Sequence, residues 1–175
     1  LPRRDFLRRL DGDRPIRKPA WLPDWKNPLT LRIGLLLGLS GSLFFGFNAY
    51  MGNLLKQQGN FELLADALFW YNFAQLAASL VMLAMAKRWV GLKHPIIITA
   101  SISLAGAVGA LLLSGWWGIA SATLMSLTAG MLLIMLVALP PMLVPSSETG
   151  RLSAGNFLVG YTVAFSIPMI GGLLA

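Results

Sequence analysis

The chain has no cysteine and a single histidine, His94. Disulfides, thiolate metal sites and a cysteine nucleophile are excluded, and a lone imidazole has no partner with which to build a metal centre. Charge is scarce too: 12% of the residues are Asp, Glu, Lys or Arg, about half the share in a soluble domain. There is no nucleotide-binding glycine loop, paired His-Glu metal motif or G-x-S-x-G turn. No apolar stretch carries a row of arginines, which argues against a voltage sensor. Neither an enzymatic activity nor a cofactor is expected.

What remains is long apolar sequence, in five stretches near residues 30–55, 62–86, 95–114, 116–143 and 152–175. A hydrocarbon core about 30 Å thick needs roughly 20 helical residues, and each stretch reaches that length. Backbone groups find no water in lipid, so such stretches must be helices or closed-barrel strands. They are too long and too continuously apolar for barrel strands, which alternate over about 10 residues. The expected fold is an all-α membrane bundle of five transmembrane helices.

The charges that exist are placed unevenly. Nine of the fourteen basic residues precede the apolar part of the first span, from Arg3 to Arg32. Asp5, Asp11, Asp13 and Asp24 dilute them, and Pro15, Pro19, Pro23 and Pro28 preclude a long helix. Residues 1–28 therefore read as a basic cytoplasmic linker at the membrane surface, with Trp21 and Trp25 at headgroup level, and nucleic acid is not an expected partner. The later turns alternate: Lys56 alone, then Lys87, Arg88 and Lys93, then none, then Arg151. The positive-inside rule places the N-terminus in the cytoplasm, in a cell whose bacterial inner membrane is the expected location. An odd number of spans, a start at Leu1 and an end at Ala175 read as a piece excised from a longer protein.

Polar residues inside the spans mark the candidate site. Asn48 lies about 200° around its helix from Gly46, away from the small-residue ridge Gly34, Gly38, Ser42 and Gly46, so it faces a cavity or another polar helix. The glycines of the 46–52 segment favour local unwinding; an ordinary interhelical hydrogen bond from Asn48 is the alternative. Asn72, Gln75 and Ser79 share one face of the second span, with Trp70 nearby. Glu62 and Asp66 stand at that span's outer end, where capping explains them better than proton carriage. The fourth span carries Ser126 and Gly130 for packing and is ended or bent by Pro140-Pro141. The fifth has a second small-residue ridge, Asn156, Gly160, Ala164, Pro168 and Gly172, with Ser153, Phe157, Tyr161 and Phe165 on an adjacent face.

Several of these segments resemble one family. The run Phe44-Phe-Gly-Phe-Asn-Ala-Tyr-Met-Gly-Asn-Leu-Leu55, with the span through Asn72 and Gln75, is similar to helices seven and eight of major facilitator superfamily transporters. Leu139-Pro-Pro-Met-Leu-Val-Pro145, Gly150-Arg-Leu-Ser-Ala-Gly155 and Gly160-Tyr-Thr-Val-Ala-Phe165 resemble helices ten and eleven, in a cyanate and nitroimidazole permease-like branch. The chain departs from that branch at Gly52, where a proline is common, and at Lys87–Lys93, which lacks the acid of the superfamily's loop.

The resemblance implies that 29–175 is the C-terminal half of such a transporter without its twelfth helix, partnered by the bilayer and by a missing N-terminal six-helix half. It implies alternating access, in which Asn48, Tyr50, Trp70, Asn72, Gln75 and Tyr161 contribute the wall of a central site, and Gly46, Pro140 and Pro168 act as hinges. The substrate would be a small solute, with anions among the candidates and protons as the candidate coupling ion. A small assembly or scaffold protein, working through its small-residue helix faces, is the alternative.

Overall fold

The computed structural model describes residues 22–174. Most of the basic linker 1–28, including Trp21, lies outside the described residues. Among them there is no strand, and the helices run α1 Pro28–Gln57, α2 Leu64–Trp89, α3 Lys93–Leu112, α4 Gly115–Val137, α5 Pro140–Leu143 and α6 Ser146–Leu174. A single 3-10 turn, Phe61–Leu63, leads into α2. All but α5 belong to segments long and apolar enough to cross a membrane, which is the architecture of an integral membrane protein.

Local chemistry sets the helix ends. Asn27 caps α1 by accepting a hydrogen bond from the Leu29 amide at 3.0 Å, with Pro28 in the first turn. Gly59 and Gly91 reverse the chain after α1 and α2 at φ 72° and 87°, a region other residues rarely adopt. Pro140 and Pro141 have no N–H for the carbonyls of Leu136 and Val137. The first of these accepts instead from the Leu139 amide at 3.2 Å. The α4 helix therefore stops at Val137, short of the stretch of 116–143 expected from hydropathy. The expected unwinding over 46–52 does not occur: α1 is helical without interruption from Pro28 to Gln57. Packing of this stretch against α6 and α2 outweighs the glycine penalty of about 1 kcal/mol per residue.

The two small-residue ridges meet each other. A Cβ added to Gly34 would lie 2.7 Å from Val159 Cβ, and one added to Gly38 would lie 2.6 Å from Val163 Cβ. Further along, Gly41 meets Ala164 and Gly46 meets Pro168. Contacts thus advance together along both helices, so α1 and α6 are parallel. The Ser42 hydroxyl donates to the Val163 carbonyl at 3.0 Å and the Tyr50 hydroxyl to the Pro168 carbonyl at 2.7 Å. In lipid no hydrophobic force separates helix contact from lipid contact, so close backbone approach and such bonds hold the pair.

A second parallel pair is α2 with α4. Tyr71 and Gln75 meet Ser126, Ala78 meets Gly130, and Met82 clusters with Met131 and Met135. Across the centre α1 and α4 run antiparallel: the Ser40 hydroxyl donates to the Ala129 carbonyl at 3.2 Å, and Leu37 packs with Leu132 and Leu136. The α3 helix covers another side of α4, where Gly106 and Gly109 admit Ser121 and Met125. Exchanging α1 with α4 and α2 with α6 turns each parallel pair into the other.

Candidate functional site

One face of the bundle combines amides with stacked aromatic rings. The Asn48 amide on α1 donates to Asn72 Oδ1 on α2 at 3.0 Å, and Asn72 Nδ2 donates to the Leu68 carbonyl at 2.8 Å. Each amide nitrogen carries a second hydrogen, so the pair retains donors beyond those two bonds. Phe45 lies one turn before Asn48 on the same side of α1. Its ring stacks on Phe165 at 4.9 Å, Phe165 on Tyr161 at 6.3 Å, and Tyr161 on Phe157 at 5.9 Å. Phe45, Phe157 and Tyr161 also line a small cavity with Leu37, Leu133 and Val137, which connects α1, α4 and α6.

The residues expected to form the site divide into three places. Asn48, Asn72 and Tyr161 belong to this amide and aromatic face. Gln75 sits at its edge but is committed to α4: its Nε2 donates to the Ser126 carbonyl at 2.7 Å and to the Ser126 hydroxyl at 3.1 Å. The Ser126 hydroxyl in turn donates to the Tyr71 carbonyl at 2.6 Å. Gly130 leaves room for the Gln75 amide, since an added Cβ would meet its Oε1 at 2.5 Å. Tyr50 is turned toward α6, where Gly172 accommodates its ring. Trp70, about 200° around α2 from Asn72, lines a separate apolar groove of about 570 Å³ with Phe73, Trp116, Ala120 and Leu127.

The hinge candidates are all in or beside packed helices. Gly46 stands opposite Pro168, with 3.7 Å between an added Cβ and the proline ring. Pro168 lies inside α6, and Pro140 is buried at the head of α5. Bonds from α1 reach α6 carbonyls on both sides of the 164–168 turn, so the proline is braced at its position.

Between the helix ends this face offers only neutral groups among the described residues. Glu62 lies in the 3-10 turn before α2, and Asp66, exposed, in its first turn. Lys87 and Arg88 lie in the last turn of α2, and Arg151 near the start of α6. No group of three or more metal-ligating side chains occurs among the described residues. Amides and a phenol can exchange hydrogen bonds with a small solute, and stacked rings give it an apolar wall. Sequence reasoning did not mark Phe45, Leu133 or Val137 as lining residues. The three-residue step from Phe45 to Asn48 was the available signal. No family model, curated protein or solved structure matches the chain.

Proposed function

We propose that the chain is part of a secondary transporter of the major facilitator type, resembling its C-terminal half, and that the amide and aromatic face is its share of the solute path. The observation carrying this reading is the crossing of two parallel helix pairs, α1–α6 and α2–α4, the arrangement an inverted repeat would produce, with the neutral amides Asn48 and Asn72 bonded to each other inside apolar spans. Secondary transporters are commonly built from inverted repeats with their sites near the bilayer midplane, and alternate access by rocking around that site. Asn48 and Asn72 would exchange hydrogen bonds with the solute while Tyr161 and Phe45 form its apolar wall. A small anion would have to find its compensating charge on the other half, because this face is neutral. Protons would likewise be carried elsewhere in the complete transporter. The expected setting is a bacterial inner membrane with the basic end in the cytoplasm.

The alternative of a scaffold protein drew on the small-residue ridges as surfaces for partners. Those ridges are spent within the chain: Gly34, Gly38 and Gly46 pack on α6, and Gly106 and Gly109 on α4. These glycine faces are taken up by contacts within the chain, which favours the transporter reading over the scaffold one.

The absence of cysteine makes a direct test clean. Single cysteines at Asn48, Tyr161 and Leu133 are introduced into the protein in its membrane and challenged with a water-soluble maleimide. A solute path predicts labelling at these three positions and none at lipid-facing Leu35 and Leu39. Protection at all three positions would refute the path and return the scaffold reading.

A further inference from the structure

Residues 22–27, before α1, are fastened across the basic end of the bundle. The Arg151 Nε donates to the Leu22 carbonyl at 2.9 Å, and the Thr30 hydroxyl donates to the Asp24 carbonyl at 3.0 Å. Asp24 also holds the turn itself: its Oδ1 accepts from the Lys26 amide at 3.1 Å, and its carbonyl from the Asn27 amide at 3.2 Å. Below this segment, Gly155 leaves the space that Thr30 and Pro23 fill; a Cβ there would lie 2.5 Å from Thr30 Cγ2 and 3.2 Å from Pro23 Cβ. Asn156, with its amide oriented to satisfy its neighbours, donates to the Thr30 carbonyl at 3.1 Å.

The fastening determines what the segment presents. Leu22 is 75% exposed and Trp25 50% exposed. Lys26 and Arg32 are exposed beside them. The alternation of the spans brings Lys87, Arg88 and Lys93 to the same end. Among the described residues Asp24 and Glu148 are the acids at this end, against Lys26, Arg32, Lys87, Arg88, Lys93 and Arg151, so cations are in excess there. The opposite end carries Lys56 with Glu62 and Asp66, and no such excess. An apolar residue and a tryptophan beside two cations, at the depth where a span leaves the hydrocarbon, match the chemistry of an anionic lipid interface.

We propose that the Leu22–Arg32 segment is a docking surface for anionic phospholipid headgroups, with Lys26 and Arg32 as the headgroup contacts and Leu22 and Trp25 inserted beside them. Arg151, Gly155 and Asn156 act as positioning residues that hold the segment flat. The partner is the lipid surface itself, and the inference does not depend on what the protein transports.

The test uses the full chain in nanodiscs of phosphatidylcholine mixed with phosphatidylglycerol, with the lipids retained on release measured by native mass spectrometry. Phosphatidylglycerol should be enriched over its share of the mixture. Lys26→Gln with Arg32→Gln, which removes two cations, should lower the ratio of phosphatidylglycerol to phosphatidylcholine retained by more than about five-fold, the loss expected from one cation alone. Lys56→Gln, at the other end, should leave it unchanged. Gly155→Ala, which changes no charge but unseats Pro23 and Thr30, should also lower it. Equal retention of the two lipids would overturn the proposal, as would an equal loss with Lys56→Gln. Inorganic phosphate that abolished the enrichment at constant ionic strength would overturn it in favour of a free-anion site.

Discussion

Gly38 on α1 and Val163 on α6 meet at a distance that only glycine permits: an added Cβ would lie 2.6 Å from Val163 Cβ and 2.9 Å from the Gly160 carbonyl oxygen. The second of these neighbours is backbone and cannot swing aside. Replacing Gly38 with valine should therefore separate the helices and destabilise the protein by about 1–3 kcal/mol, the usual cost of overpacking. Gly150, by contrast, sits on an exposed part of α6 with nothing near its would-be Cβ. Gly150→Ala should stabilise by about 0.4–1 kcal/mol through a less flexible unfolded chain and better helix propensity. Reversible unfolding in mixed micelles would compare the two. A Gly38→Val variant as stable as the parent would mean that α1 and α6 are not zipped as described.

The Gln75–Ser126 contact supports a second prediction. In membranes, interhelical hydrogen bonds average about 0.6 kcal/mol and reach about 1.7 kcal/mol. This one is bidentate on Ser126, and Ser126 also bonds to the Tyr71 carbonyl. A double-mutant cycle with Gln75→Ala and Ser126→Ala should therefore give a coupling in the upper part of that range. A coupling near zero would show that Gln75 is not committed to α4 and is free to turn toward the solute face.

The spans themselves were legible in the sequence because lipid leaves a long apolar stretch few alternatives. The ridges from Gly34 to Gly46 and from Asn156 to Gly172 were visible as four-residue steps, although periodicity within one helix cannot say which other helix it will meet. Their pairing needs the tertiary structure. Two other readings depended on angle. Tyr50 lies four residues beyond Gly46 and so continues the ridge toward α6, which the helical wheel already implied. Trp70 lies two residues from Asn72 and so turns to the other side of α2. The family resemblance groups both with the amides, and helical geometry puts them on other faces. The continuity of α1 through Gly46 and Gly52 was not legible, because propensity is a weak prior that packing overrides.

The amide pair between α1 and α2 gives a third prediction. Its 3.0 Å bond places the two side chains within reach of a short thiol-specific cross-linker. With no native cysteine to compete, Asn48→Cys with Asn72→Cys should cross-link efficiently in the membrane. Asn48→Cys with Trp70→Cys should not, because Trp70 lies about 200° around α2 from Asn72, on the side that lines the separate apolar groove. Failure of the first pair to cross-link would place Asn48 and Asn72 apart.

Two tyrosines in the same α1–α6 region should respond differently to loss of a hydroxyl. Tyr50 donates to the Pro168 carbonyl at 2.7 Å, part of the brace around the proline. Removing the donor in Tyr50→Phe should cost about 0.5–1.5 kcal/mol of stability, the net value of a typical hydrogen bond. Tyr161 is half exposed and holds its place by stacking between Phe157 and Phe165. Phenylalanine preserves that stack, so Tyr161→Phe should leave unfolding within about 0.5 kcal/mol of the parent, as surface substitutions usually do. Any effect of Tyr161→Phe should then appear in solute handling rather than in stability, as expected of a side chain that lines a path. If both variants lost the same stability, Tyr161 would be a packing residue and the aromatic face would lose its polar member.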